Sequence, residues 1–302
     1  MPSLQHKKTL PLPLVADTHA FICAGENKLW LFINQYGLNR TAVFYLTGNY
    51  GLEPAGSLPL VASSATAMNN GIMVSGADAH GKPVVIAVNN EGQPVWQKQL
   101  NILAPVIWPL VTGETPFFVA WQEEAGKIST GYIPDPEKEM EPGKIFNTGN
   151  TAVQVFAGKN KIWAAWKTTG NIMVTELLSG EKEQIAGTEK ATTEMVMAPC
   201  NKGLVTAWLG RENIYCLLPG SKEPLVIPFN NALGGALSAS CNETPLFMVK
   251  QMIGEDTISW KVTVITPGNE HFITDQFVYD AQWWQQQVVL LCRDRVIFLA
   301  AS

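Results

Sequence analysis

The sequence predicts an all-β fold, a seven-bladed β-propeller built from four-stranded antiparallel blades, on three observations. An apolar run recurs seven times at spacings of 42 to 45 residues, each interval holds four short strand-like segments, and the two chain ends supply complementary parts of one blade. The recurring runs follow Lys28 (LWLFI), Gly71 (IMVSG), Pro116 (FFVAW), Lys161 (IWAAW), Gly203 (LVTAW), Pro245 (LFMVK) and Gln287 (VVLLC). They are the second strands of the blades. A turn signal precedes each of them, and all but the last, WWQQ, carry the Gly or Asn that tight strand connections favour.

The remaining strands fall in place around that anchor. Upstream lie first strands such as TAVQVFA (151–157), EMVMAP (194–199) and FVYDAQWW (277–284). Downstream come a turn and a third strand, as in KTTG followed by NIMVTEL, and then a fourth such as QPVWQKQL (93–100) or EPLVIPF (223–229). No segment carries the 3.6-residue apolar period of an amphipathic helix. The last copy runs out after three strands, whereas residues 4–11 (LQHKKTLP) precede the first complete set. Pairing this N-terminal strand onto the last blade closes the ring and covers an otherwise open sheet edge. The blades are then expected at about 12–59, 60–103, 104–149, 150–190, 191–229, 230–275, and 276–302 with 4–11, as one domain spanning 1–302.

Strand alternation assigns faces. Counted from the anchor, the first, third and fifth residues of each second strand share one face, and the second and fourth share the other. The fourth is small in four copies: Ser75, Ala120, Ala165 and Ala207. Close approach of neighbouring sheets is expected there. The fifth is Trp121, Trp166 and Trp208 in three consecutive blades, a recurrence that inter-blade packing produces, with ligand stacking as the other reading. Trp163 and Trp166 face opposite ways, as do the adjacent Trp283 and Trp284, which argues against a single aromatic clamp.

Bulk properties narrow the function. The 302 residues carry 46% hydrophobic and 16% charged residues with a net charge of −5, enough apolar matter for a core and no basic run suited to nucleic acid. No apolar run reaches the eighteen residues of a membrane span, and Pro11, Pro13, Asp17 and His19 interrupt any signal-like stretch at the N-terminus. Five cysteines without a CxxC motif, Cys23, Cys200, Cys216, Cys241 and Cys292, fit buried thiols in a reducing cytoplasm and give neither a disulfide framework nor a zinc site. A cytoplasmic protein without metal or cofactor is the expectation.

The blade pattern IWAAWKTTGNIMVTEL, a strand ending in Trp, a turn and a second strand, resembles in outline the blades of sialidase-like propellers and propeller lectins. The Ser-x-Asp-x-Gly-x-x-Trp box of sialidase blades is absent, as are an arginine triad with a nucleophilic tyrosine and the Gly-His and Trp-Asp signatures of WD40 repeats. The resemblance therefore implies the superfold and names no family. Phosphate-loop, dinucleotide, serine-hydrolase and zinc-protease motifs are also missing. The four histidines fall in four repeats, and the acidic loop with Glu137, Glu139 and Glu141 lacks the spacing of a calcium loop. Asp17, His19 and Asp280, on innermost strands, are the catalytic candidates for a channel site.

Binding fits the sequence better than catalysis. The connections between second and third strands carry Arg40, His80, Glu123, Glu124, Lys167, Arg211, Lys250, Arg293 and Arg295, a mixed-charge ring whose members differ from blade to blade. A lectin with one sugar site per blade would repeat its ligand residues. Divergent loops on a rigid scaffold favour one composite surface for another protein. The expected function is thus a non-catalytic scaffold with a protein partner; the alternatives are a glycan-binding lectin using Trp121, Trp166 and Trp208, and a hydrolase or lyase working at the central channel.

Overall fold

The computed structural model describes residues 4–16, 19–25, 27–102, 106–111, 117–122, 126–134, 137–149, 153–158, 161–168, 171–185, 195–200, 203–231, 233–241, 244–253 and 259–301. After an initial strand, β1 (Leu4–Pro11), the strands follow in fours. The first sheet holds β2 (Ala20–Ala24), β3 (Leu29–Gln35), β4 (Arg40–Leu46) and β5 (Leu52–Leu58), and the second β6 (Val61–Met68), β7 (Gly71–Ala77), β8 (Pro83–Asn89) and β9 (Pro94–Gln99). The third holds β10 (Val106–Val111), β11 (Phe117–Gln122), β12 (Lys127–Ile133) and β13 (Glu141–Asn147), and the fourth β14 (Val153–Gly158), β15 (Lys161–Thr168), β16 (Asn171–Glu176) and β17 (Lys182–Ile185). The fifth comprises β18 (Met195–Cys200), β19 (Gly203–Leu209), β20 (Asn213–Leu217) and β21 (Leu225–Pro228), and the sixth β22 (Ala236–Cys241), β23 (Pro245–Ile253), β24 (Ser259–Ile265) and β25 (His271–Thr274). The seventh has only β26 (Val278–Trp284), β27 (Gln287–Cys292) and β28 (Arg295–Ala301) of its own, and β1 is its fourth strand. Seven four-stranded antiparallel sheets are the blades of the propeller that the periodicity predicts.

The closing strand is paired as the sequence requires. β1 runs antiparallel to β28 from Leu4 opposite Ala301 to Pro11 opposite Arg295, with one irregularity between His6 and Lys8. The ladder continues into the backbone N–H of Leu12, which donates to the Asp294 carbonyl at 2.8 Å. Without β1 the row of backbone groups on β28 would stand open to pairing with other chains.

The chain divides into two compact units, a first made of residues 16–168 and 173–183 and a second made of residues 1–15, 169–172 and 184–302. Within the first unit, Trp30 and Phe32 of β3 pack with Ile72 and Val74 of β7 and with Val84, Ile86 and Val88 of β8 in one buried cluster. Met73 and Val85, on the other face of the same sheet, join Val119, Trp121 and Ile133 of the third. Ala120 and Ile128 then pack with Ile162 and Ala164 of the fourth. The predicted alternation therefore holds: odd positions face the preceding sheet and even positions the following one. At the head of β7, Gly71 has φ +148°, and a Cβ there would run into the Val88 carbonyl, so this turn-to-strand junction requires glycine. The step from the first sheet to the second is fixed by a buried reciprocal pair, in which Asn34 Nδ2 donates to the Ala62 carbonyl at 2.8 Å and the Ala62 N–H donates to Asn34 Oδ1 at 3.0 Å.

Within the second unit the alternation changes phase. Val205, Ala207 and Leu209 of the fifth sheet pack with Phe247 and Val249 of the sixth, while Leu246 and Met248 pack with Val288 and Leu290 of the seventh. Counted from Pro245, even residues of β23 thus face backward and odd ones forward, the reverse of the other sheets. A one-residue slip flips every side chain of a strand, and β23 is offset by one residue from the count that begins at Pro245.

Candidate functional site

The phase change relocates Lys250. The sequence puts it on the loop after the second strand; the structure puts it inside β23, which runs on to Ile253 and pairs there with Ser259 of β24. In corrected register it occupies the forward-facing fourth position, where Ser75, Ala120, Ala165 and Ala207 keep the other sheets close. Its long side chain crosses to the seventh sheet: Nζ donates to the Tyr279 carbonyl at 3.0 Å and lies 5.1 Å from the centre of the Phe277 ring. Burial holds the ammonium below its usual lysine range, and the charge of Asp280 works in the opposite direction.

This amine serves the backbone of an edge. β26 is the terminal strand of its sheet, so half of its carbonyls have no ladder partner. Lys250 takes that of Tyr279, and Ser240 Oγ donates to that of Ala281 at 2.8 Å, two alternate groups on the same side of the strand. Around them Phe277 stands edge-on to Trp260 at 5.0 Å and to Tyr279 at 4.9 Å. Asp280 sits at a bulge between Val278 and Asp280 and accepts the N–H of Ala281 at 2.8 Å. Lys250 is thereby a clamp on β26, not a rim residue.

The other predicted rim residues of the second unit do lie at hairpin ends. Arg211 is exposed in the turn between β19 and β20, and its carbonyl accepts the N–H of Asn231 at 2.9 Å. Arg293 and Asp294 form the tight turn between β27 and β28, where the Arg295 guanidinium grips Asp294 through two bonds of 2.7 and 2.8 Å. That pairing holds the Asp294 carboxyl below its usual range. The same unit exposes apolar residues that sequence reasoning missed: Met252 and Ile253 at the end of β23, 58% and 36% exposed, and Leu233, 62% exposed, on the connection into β22. Gly235 of that connection lies against Val249 and Gln251 of β23. No periodic signal marks these residues, because their exposure depends on how far the β23–β24 hairpin extends.

In the first unit, Tyr36 and Leu38, 50% and 60% exposed, form a short 3-10 turn after β3, and Arg40 heads β4 with Nε donating to Gln35 Oε1 at 2.8 Å. His80 lies in a turn organised by Asp78, whose Oδ1 accepts the backbone N–H groups of His80 and Lys82, each at 2.8 Å. The Lys82 bond leads the groups that lower the Asp78 carboxyl. Glu123 and Glu124 lie outside the described residues, as does the side chain of Lys167, whose backbone belongs to β15.

The recurring tryptophans are core. Trp121, Trp166 and Trp208 are only 6%, 6% and 3% exposed, Trp121 packs between the second and third sheets, and Trp208 stacks on Tyr215 with ring centres 5.5 Å apart. A buried indole offers no face to a sugar. Of the catalytic candidates, Asp17 lies outside the described residues. His19, in the first unit, is exposed and its Nδ1 lies 3.2 Å from Asn34 Nδ2; Asp280, in the second, is described above. Among the described residues no group of three or more His, Cys, Asp or Glu side chains is arranged to hold a metal ion, and no helix is long and apolar enough to cross a membrane.

No family model matches the chain, and no curated protein matches it. Solved structures do. The Pan2 WD40 domain of Neurospora crassa matches with a TM-score of 0.57 at 11% identity, covering 98% of this chain and 95% of that one. BBS1N in complex with ARL6DN matches with a TM-score of 0.58 at 10% identity, covering 100% and 97%. The fucose-specific lectin from Aleuria aurantia matches with a TM-score of 0.53 at 12% identity, covering 88% and 96%. At such identities the likeness is one of fold alone, the seven-bladed β-propeller that the sheet topology gives.

Proposed function

We propose that this protein is a non-catalytic binding propeller that docks a partner protein through the hairpin ends of its fifth to seventh sheets. The observation that carries the reading is the exposed apolar end of β23, Met252 and Ile253, at the second-to-third-strand turn equivalent to those that carry Arg211 and the Arg293–Arg295 pair in the neighbouring sheets. Apolar side chains within a polar border are what protein interfaces bury, and a stiff sheet presents them without a large ordering cost. The neighbour BBS1N, whose structure is that of a complex with ARL6DN, gives a propeller of this fold with a protein partner. Burial of Trp121, Trp166 and Trp208 weighs against a lectin that stacks sugar on those three rings.

The test is affinity purification from the native source with the wild-type chain and with a Met252→Asp/Ile253→Asp variant whose circular dichroism and melting are unchanged. The expected result is a stoichiometric partner held by the wild type and lost from the variant. Equal recovery of the same partner by both proteins refutes the surface, and turnover in a hydrolase screen with no partner bound refutes the class.

A further inference from the structure

Three of the five cysteines meet at one seam. Cys200 ends β18 and Cys241 ends β22, each the last residue of the first strand of its sheet, and these two strands lie in contact. Both side chains pack against the same buried cluster, formed between the fifth and sixth sheets by Val205, Ile214, Phe247 and Val249, to which Cys216 itself belongs. Cys200 and Cys241 are partly exposed, whereas Cys216 is fully buried. Burial first, and then the neighbouring Cys200, hold the Cys241 thiol protonated well above the usual range. Burial alone is the main reason that Cys216 is pushed up to about 12. The one-repeat spacing hides the pair in the sequence, where no CxxC marks it.

We propose that Cys200 and Cys241 are a reversible redox pair that closes to a disulfide between the first strands of adjacent sheets. Burial keeps Cys241 protonated, so Cys200 is assigned as the attacking sulfur. With a small-molecule disulfide as oxidant, the Cys200 thiolate attacks one of its sulfurs and expels the first thiolate. Cys241 then gives up its proton to solvent, attacks the Cys200 sulfur and expels the second. Two protein thiols lose two protons and two electrons, and the oxidant's S–S bond becomes two thiols. Cys216, buried behind the pair, takes no part, and Cys292, pushed up to about 12 chiefly by burial, is likewise inert.

The experiment incubates the full chain with oxidised glutathione, blocks the remaining thiols, and maps the products by mass spectrometry. A loss of two hydrogens per chain and a peptide linked through Cys200 and Cys241 are expected. Closing a loop of one repeat length raises the melting midpoint by roughly 5–10 °C, and dithiothreitol reverses the shift. The Cys216→Ser variant retains both signals and Cys200→Ser loses both; the wild-type mapping decides the matter even where a variant folds poorly. A glutathione adduct that persists on Cys200, a link to Cys216, or five alkylatable thiols after oxidation overturns the proposal.

Discussion

Trp121→Ala separates packing from recognition at the most regular feature of the chain. The ring is 6% exposed, lies among Met73, Val85, Leu100, Val119 and Ile133, and rests over Gly131, where a Cβ would come within 3.1 Å of the indole. A buried Trp removes ~200 Å² from water. At ~25 cal/mol per Å² that is ~5 kcal/mol, of which the alanine methyl retains a small part. The substitution is thus expected to cost about 4 kcal/mol, inside the range of about 3–5 kcal/mol seen for buried Trp truncations. Trp121→Phe, which keeps most of the apolar area, is expected to cost less than half as much. Urea titration followed by circular dichroism reads the loss, and hydrogen exchange of the β11 and β12 amides reads it locally if the blades do not unfold together. A loss below about 1 kcal/mol would refute the packing argument, because only a ring standing in solvent can be removed so cheaply.

Two further perturbations test particular local arguments. Gln285 and Gln286 carry φ of 48° and 61° in the two-residue turn between β26 and β27, a left-handed geometry that costs a side-chain-bearing residue about 1 kcal/mol. Gln285→Asn with Gln286→Gly supplies the pair this turn prefers and is expected to raise the melting midpoint by about 1–3 °C; a lower midpoint would contradict the assigned geometry. Lys250→Met tests the buried amine through pH. Because burial lowers the folded-state value, the unfolded chain binds more protons between that value and the usual lysine 10.5, and wild-type stability gains there as pH rises. Wild type minus variant, measured by urea titration, is therefore expected to increase from pH 7 toward 10.5. A constant or shrinking difference would mean that the amine is not desolvated.

Sequence reasoning reached the fold because a propeller writes its period into the chain: each sheet must offer one apolar face to either neighbour, so the same alternation returns with every repeat. Trp121, Trp166 and Trp208 recur because the position they fill recurs, and their burial was implicit in that recurrence. The incomplete last copy and the spare N-terminal segment likewise carried the closure, which the Leu4–Pro11 ladder realises. Lys250 was misplaced for an equally physical reason. It is the fifth residue after Pro245, but the faces of β23 are offset by one residue from that count, which composition does not reveal. Met252, Ile253 and Leu233 left no trace because exposure at a hairpin end has no period.

The departures from the repeat gather on the blade that the chain ends build. Six sheets are continuous meanders, whereas the seventh depends on β1, a strand joined to β28 by backbone pairing and by the packing of Leu4, with no connecting turn. A blade assembled from two distant segments gains from being held at its opposite edge as well. That edge is β26, where Lys250 stands in place of the small residue that four other sheets hold and, with Ser240, bonds the carbonyls of Tyr279 and Ala281. Burying an ammonium beside an aromatic ring is costly, and a position that needs only close packing gives no reason to do so. The edge carbonyls give one, since an unbonded carbonyl at a sheet seam forfeits its hydration. The lysine that breaks the repeat is therefore best understood as part of closure.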